Sequence, residues 1–115
     1  MMANRRMFSR EIMQSDAFIE LSTGARLLYV YLNLNADDDG FVDNPKGVAR
    51  LAGCQYDTVE ELKAAGFVLE CETGVFVIVH WMEHNLIRKD RHKETRFQDE
   101  KAKLSVNARK EYVFK

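Results

Sequence analysis

Apolar positions recur at helical spacing through the first third of the chain. Leu21, Ala25, Leu28 and Leu32 fall at i, i+4, i+7 and i+11, and Leu27, Tyr31 and Leu34 widen that stripe. Residues 22–34 therefore read as a helix opened by Ser22 and buried at the centre of the fold. Ahead of it, an apolar lead of Phe8, Ile12 and Met13 precedes Ser15, which can cap a turn of helix carrying Phe18, Ile19 and Leu21. The period stops at Asn35, where Ala36-Asp37-Asp38-Asp39-Gly40 is turn chemistry. Phe41 and Val42 form a brief extended piece. Asn44 suits an N-cap and Pro45 the first helical position, so a short helix runs to about Ala52, with Gly53 as its left-handed C-terminal residue. After a four-residue turn, Asp57 or Thr58 opens another helix, each with a glutamate three residues on (Glu60, Glu61), while Val59, Leu62 and Ala65 face inward. Beyond Gly66 the pattern changes to strand, tight turn and strand: residues 67–71, Glu72-Thr73-Gly74, and residues 75–80.

This order of helix, short helix, turn, helix and hairpin predicts an α+β, mainly helical fold. Specifically, it predicts a winged helix-turn-helix over residues 1–83, with the β-hairpin as wing. From residue 84 on, apolar positions thin to Leu86, Ile87, Phe97, Leu104 and Val106. Residues 84–115 are accordingly expected as a basic, partly ordered C-terminal extension or the start of a linker. Length and composition fit one core: 115 residues, 46% hydrophobic, 30% charged, one proline and six glycines. No run approaches the roughly 18 apolar residues of a membrane span, and the arginines of the N-terminus have no apolar stretch behind them. The expectation is a cytoplasmic protein, neither membrane-bound nor secreted. Cys54 and Cys71 lie outside any CxxC spacing and read as reduced thiols rather than a disulfide.

The net charge of -1 conceals a split. Residues 1–10 carry three arginines and no acid, residues 11–83 carry four basic residues against thirteen acids, and residues 84–115 carry ten against five. An acidic body with cationic flanks suggests a grip on a polyanion, or head-to-tail association of copies. The flanks supply Arg5, Arg6 and Arg10 at one end and Arg88, Lys89, Arg91, Lys93 and Arg96 at the other as candidate phosphate contacts. Lys46, Arg50 and Lys63 add cations on the helix pair. The second helix of that pair also carries Glu60 and Glu61, which phosphate would repel, so direct base readout by it is disfavoured.

Other chemistry finds no support. Residues 35–43 match several positions of a calcium-binding EF-hand loop, but the twelfth position, where a bidentate glutamate completes the oxygen shell, is Lys46. His80 and His84 are four apart, yet HWMEH is not HExxH and no second cysteine pair accompanies Cys71. No nucleophile motif, phosphate loop or dinucleotide fingerprint is present, so neither catalytic, cofactor nor metal residues are assigned and no enzyme activity is expected.

Several blocks together resemble the N-terminal domain of phage replisome organisers, the DnaD-like replication-initiation proteins of phages of Gram-positive bacteria. They are Asn4-Arg-Arg-Met-Phe-Ser-Arg-Glu-Ile12, Ser15-Asp-Ala-Phe18, the Asn35 to Lys46 stretch, Leu62-Lys-Ala-Ala-Gly-Phe-Val68 and the Asn85 to Thr95 stretch. The resemblance covers about residues 3–97. It implies a winged-helix domain that binds double-stranded origin DNA and oligomerises inside the bacterial host. Longer members of the family carry a second domain that contacts other replisome proteins. Two alternatives stand beside a DNA-binding module: a homo-oligomerisation or assembly module of the replisome, and a winged-helix transcriptional regulator.

Overall fold

The computed structural model of the chain describes residues 5–87 and 89–115, and side-chain caps open most of the helices in its first half. Ser9 accepts from the Ile12 N–H to start α1 (Arg10–Met13), and Ser15 from Phe18 to start α2 (Asp16–Ile19). Ser22 accepts from Ala25 to start α3 (Thr23–Leu34), and Asn44 from Gly47 to start α4 (Pro45–Leu51), with Pro45 at the first position. The exception is α5 (Tyr56–Ala64), which begins ahead of the expected Asp57 or Thr58 and has Gln55 at its N-cap without a side-chain bond. The Thr58 side chain lies against Gly24 of α3, so tertiary packing takes the residue that local chemistry would have used as a cap.

The expected hairpin is present as β2 (Val68–Glu70) and β3 (Phe76–Ile78). The brief piece β1 (Phe41–Val42) pairs with the other edge of β3, giving an antiparallel sheet in the order β1-β3-β2 with Phe41 opposite Val77 and Leu69 opposite Val77 on the far side. Beyond the sheet follow α6 (Trp81–His84), α7 (Gln98–Ala102) and a second antiparallel pair, β4 (Leu104–Val106) with β5 (Tyr112–Phe114). Residues 84–115 thus depart from the expected partly ordered extension. Leu104 and Tyr112 are buried in the same core as α3, and the Tyr112 N–H donates to the Val79 carbonyl at 3.0 Å. Two isolated apolar residues in a charged stretch leave no periodicity, yet they suffice to fasten the hairpin to the body.

The result is an α+β fold of seven helices and two small antiparallel sheets among the described residues. Its centre is the predicted one: Ala25, Leu28, Tyr29 and Leu32 of α3 are wholly buried, against Val59 and Leu62 of α5 and Val77 and Ile78 of β3. Phe18, Tyr29 and Phe67 meet edge to face at 5.4–5.6 Å. Burying each such large apolar side chain contributes roughly 1.5–3 kcal/mol, so α3 anchors the fold. No helix among the described residues is long and apolar enough to cross a membrane.

Candidate nucleic-acid interface

The turn after α3 organises the surface where the two cationic flanks lie. Asp37 Oδ1 accepts from the N–H groups of Asp39 and Phe41, both at 3.0 Å, which closes the turn on itself. Gly40 completes it at φ +91°, and a Cβ there would come within 2.7 Å of the Trp81 side chain. The remaining carboxylate bonds of the turn reach across the sequence. Asp37 Oδ2 accepts from Thr95 Oγ1 at 2.5 Å. Asp38 Oδ1 holds Arg6 Nη1 at 3.2 Å, and Oδ2 accepts from the Lys93 N–H at 3.0 Å. Asp39 Oδ1 meets His92 Nε2 at 2.8 Å, and Oδ2 accepts from the Thr95 N–H at 2.8 Å. Burial alone would raise the Asp39 pKa, but the Thr95 N–H, His92 and Lys101 outweigh it and hold the carboxyl below its usual range. The acidic residues of the body are therefore partners for the basic flanks within one chain.

The candidate cations fall into distinct groups. Arg6, expected to touch phosphate, is buried: its side chain is 3% exposed, faces Asp38, donates to the Ala36 carbonyl at 2.6 Å and stacks over Trp81 at 5.0 Å. A guanidinium so placed is a structural cation. Arg5, Arg10, Lys89, Arg91 and Lys93 are exposed, and Arg88 lies outside the described residues. Arg96 is exposed but pairs with Asp43 at 2.6 Å and lies over the Phe97 ring. On α4, Lys46 and Arg50 are exposed, and Lys46 Nζ stands 5.2 Å from the centre of the Tyr56 ring. Lys63 sits between Glu70 at 2.5 Å and Glu60 at 3.4 Å, and Glu70 above all raises its pKa. It is neutralised where it stands and offers little to a phosphate.

Asp43 joins the two exposed cationic groups. It lines a cavity of about 260 Å³ together with Lys93, Arg96 and Phe97, and an adjoining one of about 270 Å³ together with Lys46 and Tyr56. A surface of mixed charge, in which Lys93, Arg96 and Lys46 alternate with Glu94, Asp43 and Glu70, thus runs from the 89–96 segment to the start of α4.

Two expectations about the acidic side change. Glu61 is at the surface but not free: its carboxylate accepts from the Ser22 N–H at 2.8 Å and from Ser22 Oγ at 2.7 Å, bonds that lower its pKa and fasten α5 to the start of α3. Only Asp57 and Glu60 remain fully exposed among the acids of α5. The β2–β3 turn is not free either. Thr73 Oγ1 donates to Glu100 of α7 at 2.7 Å, and Lys103 pairs with Glu72 at 3.0 Å, so the C-terminal segment braces the hairpin tip.

His84, weighed in the sequence as a remote metal ligand, is a packed side chain. The Ser9 N–H donates to its Nδ1 at 2.8 Å, which leaves the ring proton on Nε2, facing the Tyr29 hydroxyl at 2.6 Å. Burial, with His80 nearby, pushes its pKa down to about 4. Asn85 accepts from the Met7 N–H at 2.9 Å, so the last residue of α6 and the cap that follows it grip the N-terminal arm. Sequence reasoning missed Asp38, His84 and Asn85 as anchors; Asp38 leaves a trace as one of three acids in a turn, whereas His84 and Asn85 leave none. No protein-family model, curated protein or solved structure is similar enough to match the chain.

Proposed function

We propose that this chain is a DNA-binding module of a phage-type replication-initiation protein, built on a winged helix-turn-helix, that grips duplex phosphates with its basic flanks. The observation that carries the reading is the meeting of those flanks at one carboxylate. Arg6 and the Lys93 N–H share Asp38, and exposed Arg5, Lys89, Arg91 and Lys93 neighbour the residues so held. A cluster of exposed cations beside a fixed backbone suits phosphate contact, since such contacts position a protein without reading sequence. The succession α3, β1, α4, α5, β2, β3 with sheet order β1-β3-β2 supports the winged-helix assignment, with α4 and α5 as the helix pair and the hairpin as wing. The acids of α5 and the braced, acidic hairpin tip favour contact through Lys46, Arg50 and the 89–96 segment over base readout by α5 or the wing.

The test is duplex binding as a function of salt. Replacing Lys89, Arg91 and Lys93 together by alanine should flatten the slope of log K against log salt by roughly 2 to 3 and weaken binding equally on all sequences. An unchanged slope would remove the flank grip. A second reading, self-association, rests on a separate observation: Leu27 and Leu34, seven residues apart on α3, are about half exposed (45% and 53%) with Tyr31 between them. Sedimentation of the wild type and of Leu27→Glu decides it: a monomer in both cases excludes that face as an interface.

A further inference from the structure

We propose that Asp38 is a positioning residue for polyanion binding, a buried anion whose loss weakens the hold on another anion. The proposal rests on the DNA-binding reading and adds to it the element that sets how many cations face the phosphates together. The Asp38 side chain is wholly buried, and the Arg6 side chain paired with it nearly so. Neither charge reaches solvent, so neither contributes directly to attraction or repulsion of an approaching strand. Their effect is mechanical. One carboxylate oxygen takes the guanidinium of the N-terminal arm, the other takes the backbone N–H of Lys93, and the residues joined are 32 and 55 positions away in sequence. Trp81 Nε1 donates to the Asp38 carbonyl at 3.0 Å and fixes the turn against α6. Thr95, bonded to Asp37 through its hydroxyl and to Asp39 through its N–H, secures the same basic segment a second time.

An asparagine at position 38 keeps the shape but has one acceptor oxygen and an amide that can only donate. It can satisfy Arg6 or the Lys93 N–H, never both, so one flank loses its hold. Coulomb's law taken alone predicts the opposite sign, because removing a negative charge near the phosphates should tighten binding. The direction of the change therefore separates positioning from simple charge.

The experiment measures fluorescence anisotropy of a short labelled duplex over a salt series. It compares the wild type, Asp38→Asn and Thr95→Val, at a temperature where circular dichroism shows each folded. Asp38→Asn should bind more weakly, with a salt slope flatter by about 2, and Thr95→Val should flatten it by about 1. A merely less stable variant has fewer active molecules but an unaltered slope, so the slope reads positioning rather than folding. Should Asp38→Asn fail to fold, Thr95→Val carries the test alone. Tighter binding or an unaltered slope in whichever variant folds overturns the proposal while leaving the DNA-binding reading intact. A wild type that binds no duplex at any salt concentration removes both.

Discussion

Residues 37–39 and the outer surface of α5 with the β2–β3 turn are both rich in carboxylates, and they treat them in opposite ways. In the turn, Asp38 and Asp39 are buried and each accepts from two donors far away in sequence, while Asp37 accepts from one distant donor, Thr95, and from two N–H groups of the turn itself. Around α5 and the turn, Glu60, Glu70 and Glu72 stay exposed and meet Lys63 or Lys103 in pairs. Exposed pairs are screened by water and salt and contribute little, whereas a buried carboxylate must have its partners and so dictates where they stand. Charge of one sign is architecture at one place and solvation at the other.

The largest expected effect breaks the first region. Asp38→Ala leaves the buried Arg6 guanidinium without its counterion and should cost about 3 to 5 kcal/mol in urea unfolding. Lys103→Ala at the exposed pair should not shift the midpoint measurably; equal losses would erase the distinction.

Acid should act on the same side of the molecule through His84. Its folded pKa, about 4, lies below the usual 6.5, so the folded state disfavours the proton that the unfolded chain takes up. This contribution is fully present above pH 6.5 and is lost as pH falls through 4, amounting to about 3 kcal/mol. Asp39, also held below its usual range, adds a loss in the same direction at lower pH. Urea midpoints at pH 7 and pH 5 check the first of these. His84→Gln should flatten the dependence between them, and an unaltered dependence would show that another group titrates.

A smaller effect sharpens the comparison at the border between the regions. Arg96 and Asp43 are both well exposed, so the pair should exchange readily and Asp43→Asn should free Arg96 for phosphate, steepening the salt slope by about one. The smallest difference lies within α5. Glu60→Ala should leave both melting and DNA binding unchanged, while Glu61→Ala should lower the melting midpoint through the loss of its two bonds to Ser22, with no weakening of binding. Identical melting curves for the two variants would refute the bracing role of Glu61.

Legibility in the sequence follows how local each determinant is. Ser15, Ser22, Asn44 and Pro45 act within one turn of helix, and the structure has them where capping chemistry predicts. The α3 stripe is equally local and marks the core. The pairing of β1 with β3, by contrast, depends on Phe41 meeting Val77, a contact without a nearest-neighbour signature. The same holds for Tyr112, whose hydroxyl donates to the Asp39 carbonyl at 2.8 Å from across the chain. Among the candidate cations, the pattern could not separate exposed side chains from buried ones. Arg5 and Arg6 are chemically alike in the sequence, and only the position of Trp81 and Asp38 makes one exposed and the other buried.

The long reach of residues 37–39 has a kinetic consequence. Their partners lie up to 73 positions away, whereas α3, α4, α5 and the β2–β3 hairpin can associate over shorter spans, such as the 39 positions between Ser22 and Glu61. Closing a long loop costs more chain entropy before any contact forms, so high-separation contacts assemble late. On a chain made from its N-terminus, the helical core can therefore settle while the corner still waits for Lys93, Thr95 and Tyr112 to be synthesised. The basic flanks are drawn together only in the last step of folding, and a chain arrested before that step would hold its core but not its charged edge.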